Sequence, residues 1–151
     1  MKQKNYQNLT KKTLGKLPVW NLKDLYESPK AKNLNNDLNQ LRMITKKFEK
    51  KYTSKIAKLS PNQLLKAIIE LEGIDIKIDK IMSYAHLLVA EDGNNEKNKI
   101  FYQQMQEQIT NIASSIVFFS LELNEVSEPN LNKIYADKKL DIYKNLSLIH
   151  I

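Results

Sequence analysis

The chain has 151 residues, of which 42% are apolar and 27% are charged, a composition and length typical of one globular domain. It contains no cysteine, which excludes disulfides, cysteine-ligated metal sites and thiol catalysis. Three glycines and four prolines are too few for a collagen-like or many-turned all-β architecture.

The net charge of +7 is concentrated at the N-terminus. Residues 1–16 contain no acidic side chain, and we interpret them as a mobile tail carrying Lys2, Lys4, Lys11, Lys12 and Lys16. Basic surfaces bind nucleic acids or membranes. Here Arg42 is the only arginine, and arginine is the residue that makes bidentate contacts with guanine and phosphate. We therefore expect no nucleic-acid partner.

Hydrophobic segments of the length needed for targeting are absent from the sequence. No apolar run approaches the ~20 residues that span a bilayer. The N-terminus has no apolar core of the kind found in secretory signals. We expect a cytoplasmic protein with no membrane partner.

The first structural signals lie between residues 17 and 29. The segment Leu17-Pro18-Val19-Trp20 reads as extended chain, and we expect Trp20 to pack onto the body of the protein. Asn21 is suited to cap a short helix over Leu22, Leu25 and Tyr26, which Ser28-Pro29 would end.

Residues 30–53 show the apolar spacing of one α-helix face. The spacings are 4, 3, 4, 3 and 4 along Leu34, Leu38, Leu41, Thr45, Phe48 and Tyr52. The lysines fall mostly off this stripe. We interpret the run of Lys46, Lys47, Lys50 and Lys51 as a solvated face rather than a binding patch.

Residues 61–90 are predicted to form one long helix. Ser60 is a good N-cap, Pro61 suits the first helical position, and Gln63 can complete a capping box. Helical spacing then follows along Leu64, Ile68, Leu71, Ile74 or Asp75, Ile78, Met82, Ala85 and Val89. Residues 74–79 alternate like a strand, but a lone strand would leave its backbone groups unpaired. We therefore predict a helix through this segment, with an irregularity near Gly73.

A second long helix is predicted over residues 95–126. Its apolar residues recur at helical spacing, as Phe101, Met105, Ile109, Ile112, Ile116, Phe119 and Leu123. The loop at residues 91–94 contains Gly93, which we expect in the left-handed conformation after the preceding helix. Two helices of about 45 Å joined by a short loop predict an antiparallel hairpin. Ser127 would cap a further short helix carrying Leu131, Ile134 and Tyr135.

The predicted fold is therefore all-α, with a long antiparallel hairpin, shorter flanking helices and an extended N-terminal tail. Candidate catalytic chemistry is sparse. His86 and His150 are 64 residues apart, outside any His-Glu-x-x-His pattern, and we interpret His86 as a packing residue. Glu91 and Asp92 form an acidic pair, which we interpret as ordinary helix-end residues. No catalytic, cofactor-binding or metal-binding residue is assigned to this chain.

Three segments together resemble oligoendopeptidase F. The opening Leu17-Pro18-Val19-Trp20-Asn21-Leu22-Lys23-Asp24-Leu25-Tyr26 is similar to the opening of that family. The segment Ser83-Tyr84-Ala85 matches a Ser-Tyr-Ala segment on a long helix of the family. Residues 106–124 resemble the next helix, and the resemblance covers residues 17–145 in the same order and spacing.

The resemblance implies a thimet-oligopeptidase-like zinc metallopeptidase that cleaves short peptides. Such a protein has an all-helical N-terminal region forming part of the wall of a deep substrate channel. Its Zn²⁺ ligands and catalytic glutamate belong to a C-terminal catalytic domain, which corresponds to no residue of this sequence. We therefore expect this chain alone to bind no zinc and to be inactive.

Residues 146–151 depart from the family, whose helix continues at this point. The hexapeptide Leu146-Ser147-Leu148-Ile149-His150-Ile151 looks like the translation of a transposase mosaic-end adapter used in sequencing libraries. We therefore interpret the chain as a truncated N-terminal fragment of the peptidase. The alternative is a stand-alone helical protein-interaction module without enzymatic activity.

Overall fold

A computed structural model describes residues 20–127 and Pro129. This part of the chain is all-α, as predicted, and no strand occurs in it. Its helices are α1 (Lys32–Tyr52), α2 (Pro61–Glu91), α3 (Glu96–Ala113) and α4 (Phe118–Asn124), with 3₁₀ turns at Leu22–Asp24, Ile56–Lys58 and Ser114–Ile116. The predicted tail at 1–16, the helix after Ser127 and the segment 146–151 lie outside the described residues.

The segment before α1 is anchored by Tyr26, not by Trp20. The predicted cap is confirmed, because Asn21 Oδ1 accepts a hydrogen bond from the Lys23 backbone N–H at 3.2 Å. The expectation for Trp20 is wrong, since 48% of its surface is exposed. Tyr26 is buried instead, with its ring centroid 5.2 Å from that of Tyr84 on α2. The buried aromatic contact of this segment is therefore made six residues later than predicted.

Helix α1 has the predicted buried stripe. All six residues of that stripe are buried: Leu34, Leu38, Leu41, Thr45, Phe48 and Tyr52. The Thr45 hydroxyl donates to the Leu41 carbonyl at 2.9 Å, which satisfies the buried polar atom. All four lysines of the run are exposed, as a solvated face requires.

Helix α2 continues through Gly73 without a break, so the expected irregularity there is wrong. Gln63 Oε1 accepts from the Ser60 backbone N–H at 2.9 Å, as the capping box requires. The fully buried residues are Leu64, Ala67, Ile74, Ile81, Tyr84 and Ala85. Because α2 packs against α1 as well as α3, its buried face is broader than a single stripe.

The predicted helix over residues 95–126 is divided into α3, a 3₁₀ turn and α4. The hydroxyls of Ser114 and Ser115 donate to the carbonyls of Asn111 and Ile112, each at 2.8 Å. Such bonds to the preceding turn compete with the helical backbone pattern. With 18 residues, α3 alone is about 27 Å long, so the predicted single uninterrupted helix is wrong, although Ala113, Ser114 and Val117 keep right-handed helical backbone angles through the turn.

A tight loop joins α2 to α3 as an antiparallel hairpin. Asn95 caps α3 by accepting from the backbone N–H groups of Lys97 and Asn98. The Asn98 amide donates to the Leu88 carbonyl at 2.9 Å and ties the loop to the end of α2. Gly93 does not have the expected positive φ. Asp92 ends α2 with a φ of −141° and a ψ of 88°, so the chain leaves the helix at Asp92 without a left-handed residue.

Candidate functional site

Among the described residues, the side chains considered for catalysis do not converge on a catalytic arrangement. His86 is exposed on α2, with its ring 6.2 Å from that of Tyr102 on α3. Asp92 Oδ1 accepts from the Asn94 backbone N–H at 3.1 Å, so it closes the hairpin loop. Within residues 20–127, no group of three or more His, Cys, Asp or Glu side chains could hold a metal ion. His150 lies outside the described residues.

A compact polar cluster joins the N-terminal segment to α1 and α2. The Tyr26 hydroxyl donates to Asp37 Oδ2 at 2.8 Å. Lys80 Nζ donates to the same oxygen at 3.1 Å and lies 4.4 Å from the centroid of the Tyr26 ring. The ring of Tyr84 packs edge-on against Tyr26, and Phe101 on α3 packs edge-on against Tyr84 with centroids 6.0 Å apart. Three helices and the segment before α1 therefore meet at this cluster.

The electrostatics of the cluster favour an ionised Asp37. Burial by itself raises the pKa of the Asp37 carboxyl, but the hydrogen bonds from Tyr26 and Lys80 and the charges of Lys80 and Lys77 outweigh it, so the pKa is lowered. Burial, the hydrogen bond to Asp37 and its negative charge raise the pKa of Tyr26. At neutral pH Tyr26 is thus a neutral phenol and Asp37 a carboxylate, which accepts hydrogen bonds from both Tyr26 and Lys80.

An open apolar groove lies further along the same pair of helices. It has a volume of about 520 Å³, and its apolar lining is Ile44 and Phe48 from α1 with Ile69, Gly73 and Ile74 from α2. Its charged lining is Lys47, Lys51, Glu70 and Lys77. The volume of this groove falls in the range of ligand-binding clefts.

A second cleft, of about 320 Å³, lies between α1 and α3, and most of the residues that line it are of polar type. Arg42 crosses it, donating to Gln108 Oε1 at 2.6 Å and to Asn39 Oδ1 at 3.2 Å. The guanidinium is thus held by two neutral amide oxygens. This cleft contains no nucleophile beside a base, so we do not interpret it as an active site.

The chain has no match among the protein families, curated proteins or solved structures with which we compared it.

The groove was not predicted from the sequence, although one signal for it was present. In residues 74–79, isoleucines alternate with charged residues, and on a helix this alternation places apolar side chains on opposite faces. Ile74 is buried accordingly, whereas Ile76 is 68% exposed. A single exposed isoleucine is ordinary, but Ile69 is also exposed on the same side of α2, so the two form part of a larger apolar surface.

Proposed function

We propose that residues 17–145 are the N-terminal helical region of an oligoendopeptidase F-like zinc metallopeptidase. The observation that carries this proposal is the contact between two of the segments on which the resemblance rests. Tyr26, from the opening segment, and Tyr84, from the Ser-Tyr-Ala segment, are both buried and pack against each other. A structural role in the core accounts for both of these residues.

Exposed apolar side chains support a neighbouring domain as partner. Val117 is 51% exposed and Leu121 is 60% exposed, and with a spacing of four residues they lie on one side of α4 and the turn before it. Ile100 on α3 is also exposed. Apolar surface that recurs at helical spacing is typical of interfaces. In this proposal the C-terminal catalytic domain covers part of it.

The proposed role of this region is to restrict access to the substrate channel. The catalytic domain would bind Zn²⁺ and activate water, and the helices would form one wall that admits short peptides and excludes folded proteins. Each helix of residues 20–127 is too short or too polar to cross a bilayer. We propose the cytoplasm as the location, where short peptides are the expected substrates.

The test is to sequence the source DNA across codon 145 and to express the complete reading frame. The proposal requires that the frame continue past Asn145 and encode His-Glu-x-x-His. The purified product should cleave a fluorogenic octapeptide, lose that activity with a zinc chelator, and leave folded protein substrates intact. A frame that stops after Ile151 overturns the proposal.

The alternative function is a helical protein-interaction module without enzymatic activity, and the groove between α1 and α2 favours it. Such a module should unfold in one cooperative transition and remain monodisperse on its own. Analytical ultracentrifugation and chemical denaturation of the 151-residue chain test this. Aggregation, or a broad transition with an early loss of tertiary structure, contradicts it.

A further inference from the structure

The groove between α1 and α2 is kept open by a glycine that the helix itself does not require. Gly73 lies inside the 31-residue helix α2, where glycine is less favourable than alanine because it loses more backbone entropy on folding. Its φ is not positive, and a Cβ built on it would meet no atom within 4 Å beyond its chain neighbours and the backbone of its own helix. Neither backbone conformation nor close packing therefore explains the glycine. The space in front of it belongs to the groove.

The apolar surface at Gly73 extends along one face of α2. Ile69, Gly73 and Ile76 are spaced by four and three residues, which places them on the same side of the helix. Ile69 is 53% exposed, and Ile76 continues this surface beyond the groove. A shallow trough between two antiparallel helices, with exposed apolar residues along one side, has the shape that accepts a third helix.

The charged residues beside the trough favour a bound helix that carries negative charge. Three lysines and one glutamate line it, which leaves a net charge of +2. Glu70 is already paired with Lys51 at 2.6 Å. Lys77 donates to the neutral amide oxygen of Gln40 at 3.3 Å, and within the described residues neither Lys47 nor Lys77 has a carboxylate at salt-bridge distance. The ammonium of Lys47 therefore remains to meet negative charge on an occupant, and Lys77, whose charge also acts on Asp37, adds positive charge beside it.

We propose that this groove binds an acidic amphipathic helix of a partner protein. The apolar stripe of the helix lies on Ile44, Ile69 and Gly73, and its flanking carboxylates pair with Lys47 and Lys77. This inference goes beyond the peptidase proposal and does not depend on it, because the groove consists of residues of this chain alone.

The test uses a designed probe and the full chain. The acidic probe is a fluorescein-labelled peptide with leucines at i, i+4, i+7 and i+11 and glutamates at its outward positions. A basic probe has the same leucines with lysines in place of the glutamates. Fluorescence anisotropy should show saturable binding of the acidic probe and at least tenfold weaker binding of the basic one. Added salt should weaken the acidic complex.

Two pairs of variants locate the binding. Gly73→Leu fills the trough and should weaken binding at least tenfold, whereas Ala90→Leu adds the same side chain at an exposed position of α2 outside the groove and should leave it within twofold. Lys47→Glu should weaken binding at least threefold, whereas Lys46→Glu, next to it but lining the other cleft, should not. Thermal unfolding of each variant verifies that the fold is retained.

Three outcomes overturn the proposal. The first is that no saturable binding of the acidic probe occurs, and the second is that Gly73→Leu binds it as well as the original chain. The third is concentration-dependent dimerisation of the chain that Gly73→Leu abolishes, which makes a second copy the occupant. Peptidase activity enters none of these measurements, so a failure here is distinguishable from a failure of the peptidase proposal.

Discussion

The two ends of the α1–α2 interface are built from the same pair of helices but packed differently. At one end Tyr26 covers the interface, and Asp37 and Lys80 are joined at 3.1 Å. At the other end Gly73 leaves the interface open, and Lys51 and Glu70 pair over it at 2.6 Å. The side chains of the closed pair are 39% and 21% exposed, against 55% and 43% for the open pair. The shorter ion pair is thus the more hydrated one.

The distance between the charged atoms therefore does not measure how much an ion pair contributes to the stability of the fold. In the closed end, Asp37 also accepts a hydrogen bond from a buried phenol, and the ammonium of Lys80 lies over an aromatic ring. A partly desolvated pair with such additional contacts stabilises the fold. An exposed pair exchanges its partner for water at little cost. We therefore expect the closed end to govern stability and the open end to govern binding.

The largest expected effect comes from Tyr26→Ala at the closed end. Tyr26 is 1% exposed, and truncation of a buried aromatic side chain costs about 3–5 kcal/mol of unfolding free energy. Chemical denaturation followed by circular dichroism measures this change. The matched control is Tyr26→Phe, which keeps the ring and should cost about 1–2 kcal/mol for the lost hydrogen bond. Equal losses in the two variants would show that the hydroxyl, not the burial of the ring, secures the segment before α1.

The second effect is a pH dependence centred on Asp37. Its pKa in the folded protein lies below the ordinary value of 3.8, so the stabilisation is complete above that value. It is lost as the pH falls from there through the folded-state pKa. Asp37→Asn should therefore be less stable than the original chain at neutral pH, and the gap should narrow toward pH 3. Urea denaturation of both proteins across this range measures it, and a gap that widens in acid contradicts the assigned direction.

The buried stripe of α1 was readable from the sequence because a single face of this helix is buried. In α2 only Leu64, Ile74 and Ala85 of the predicted positions are fully buried. The reason is that α2 contacts a helix on each of two sides, and the periodicity of one helix does not specify where its neighbours lie. The 3₁₀ turn after α3 coincides with two serine hydroxyls that bond to the preceding turn, and apolar spacing does not predict such bonds.

The candidate surfaces were harder to predict than the fold. Asp37 and Lys80 are 43 residues apart in sequence, and only the packing of α1 on α2 brings them together. The sequence marks Gly73 as unusual within its helix, but the pattern predicts an irregularity of the helix itself. Its consequence is a space beside the helix, which depends on the residues of α1 that face it. The local sequence pattern thus identifies the position of Gly73 as unusual, but it does not predict the groove beside it.

The third prediction concerns Gly73→Ala at the open end. Alanine is favoured over glycine in a helix interior by about 1 kcal/mol, and the added Cβ meets open space. We expect the unfolding free energy to rise by about that amount, measured by urea denaturation at neutral pH. A methyl group is too small to fill the trough, so binding of the acidic probe should change far less than with Gly73→Leu. A loss of stability would show that the helix requires glycine at this position.

The smallest expected effect is the coupling free energy of the exposed ion pair, which can be compared directly with that of the partly buried pair. A double-mutant cycle with Lys51→Met and Glu70→Gln should give a coupling free energy of about 0.5 kcal/mol or less, as exposed pairs do. The same cycle with Lys80→Met and Asp37→Asn should give about 1–2 kcal/mol, because hydrogen bonds to charged groups in a partly buried setting are stronger. Raising the salt concentration should reduce the first coupling more than the second, since screening acts chiefly on exposed charges. If the cycle at Lys51 and Glu70 gives the larger coupling, distance outweighs hydration in this protein, and the division between a stabilising end and a binding end of the α1–α2 interface fails.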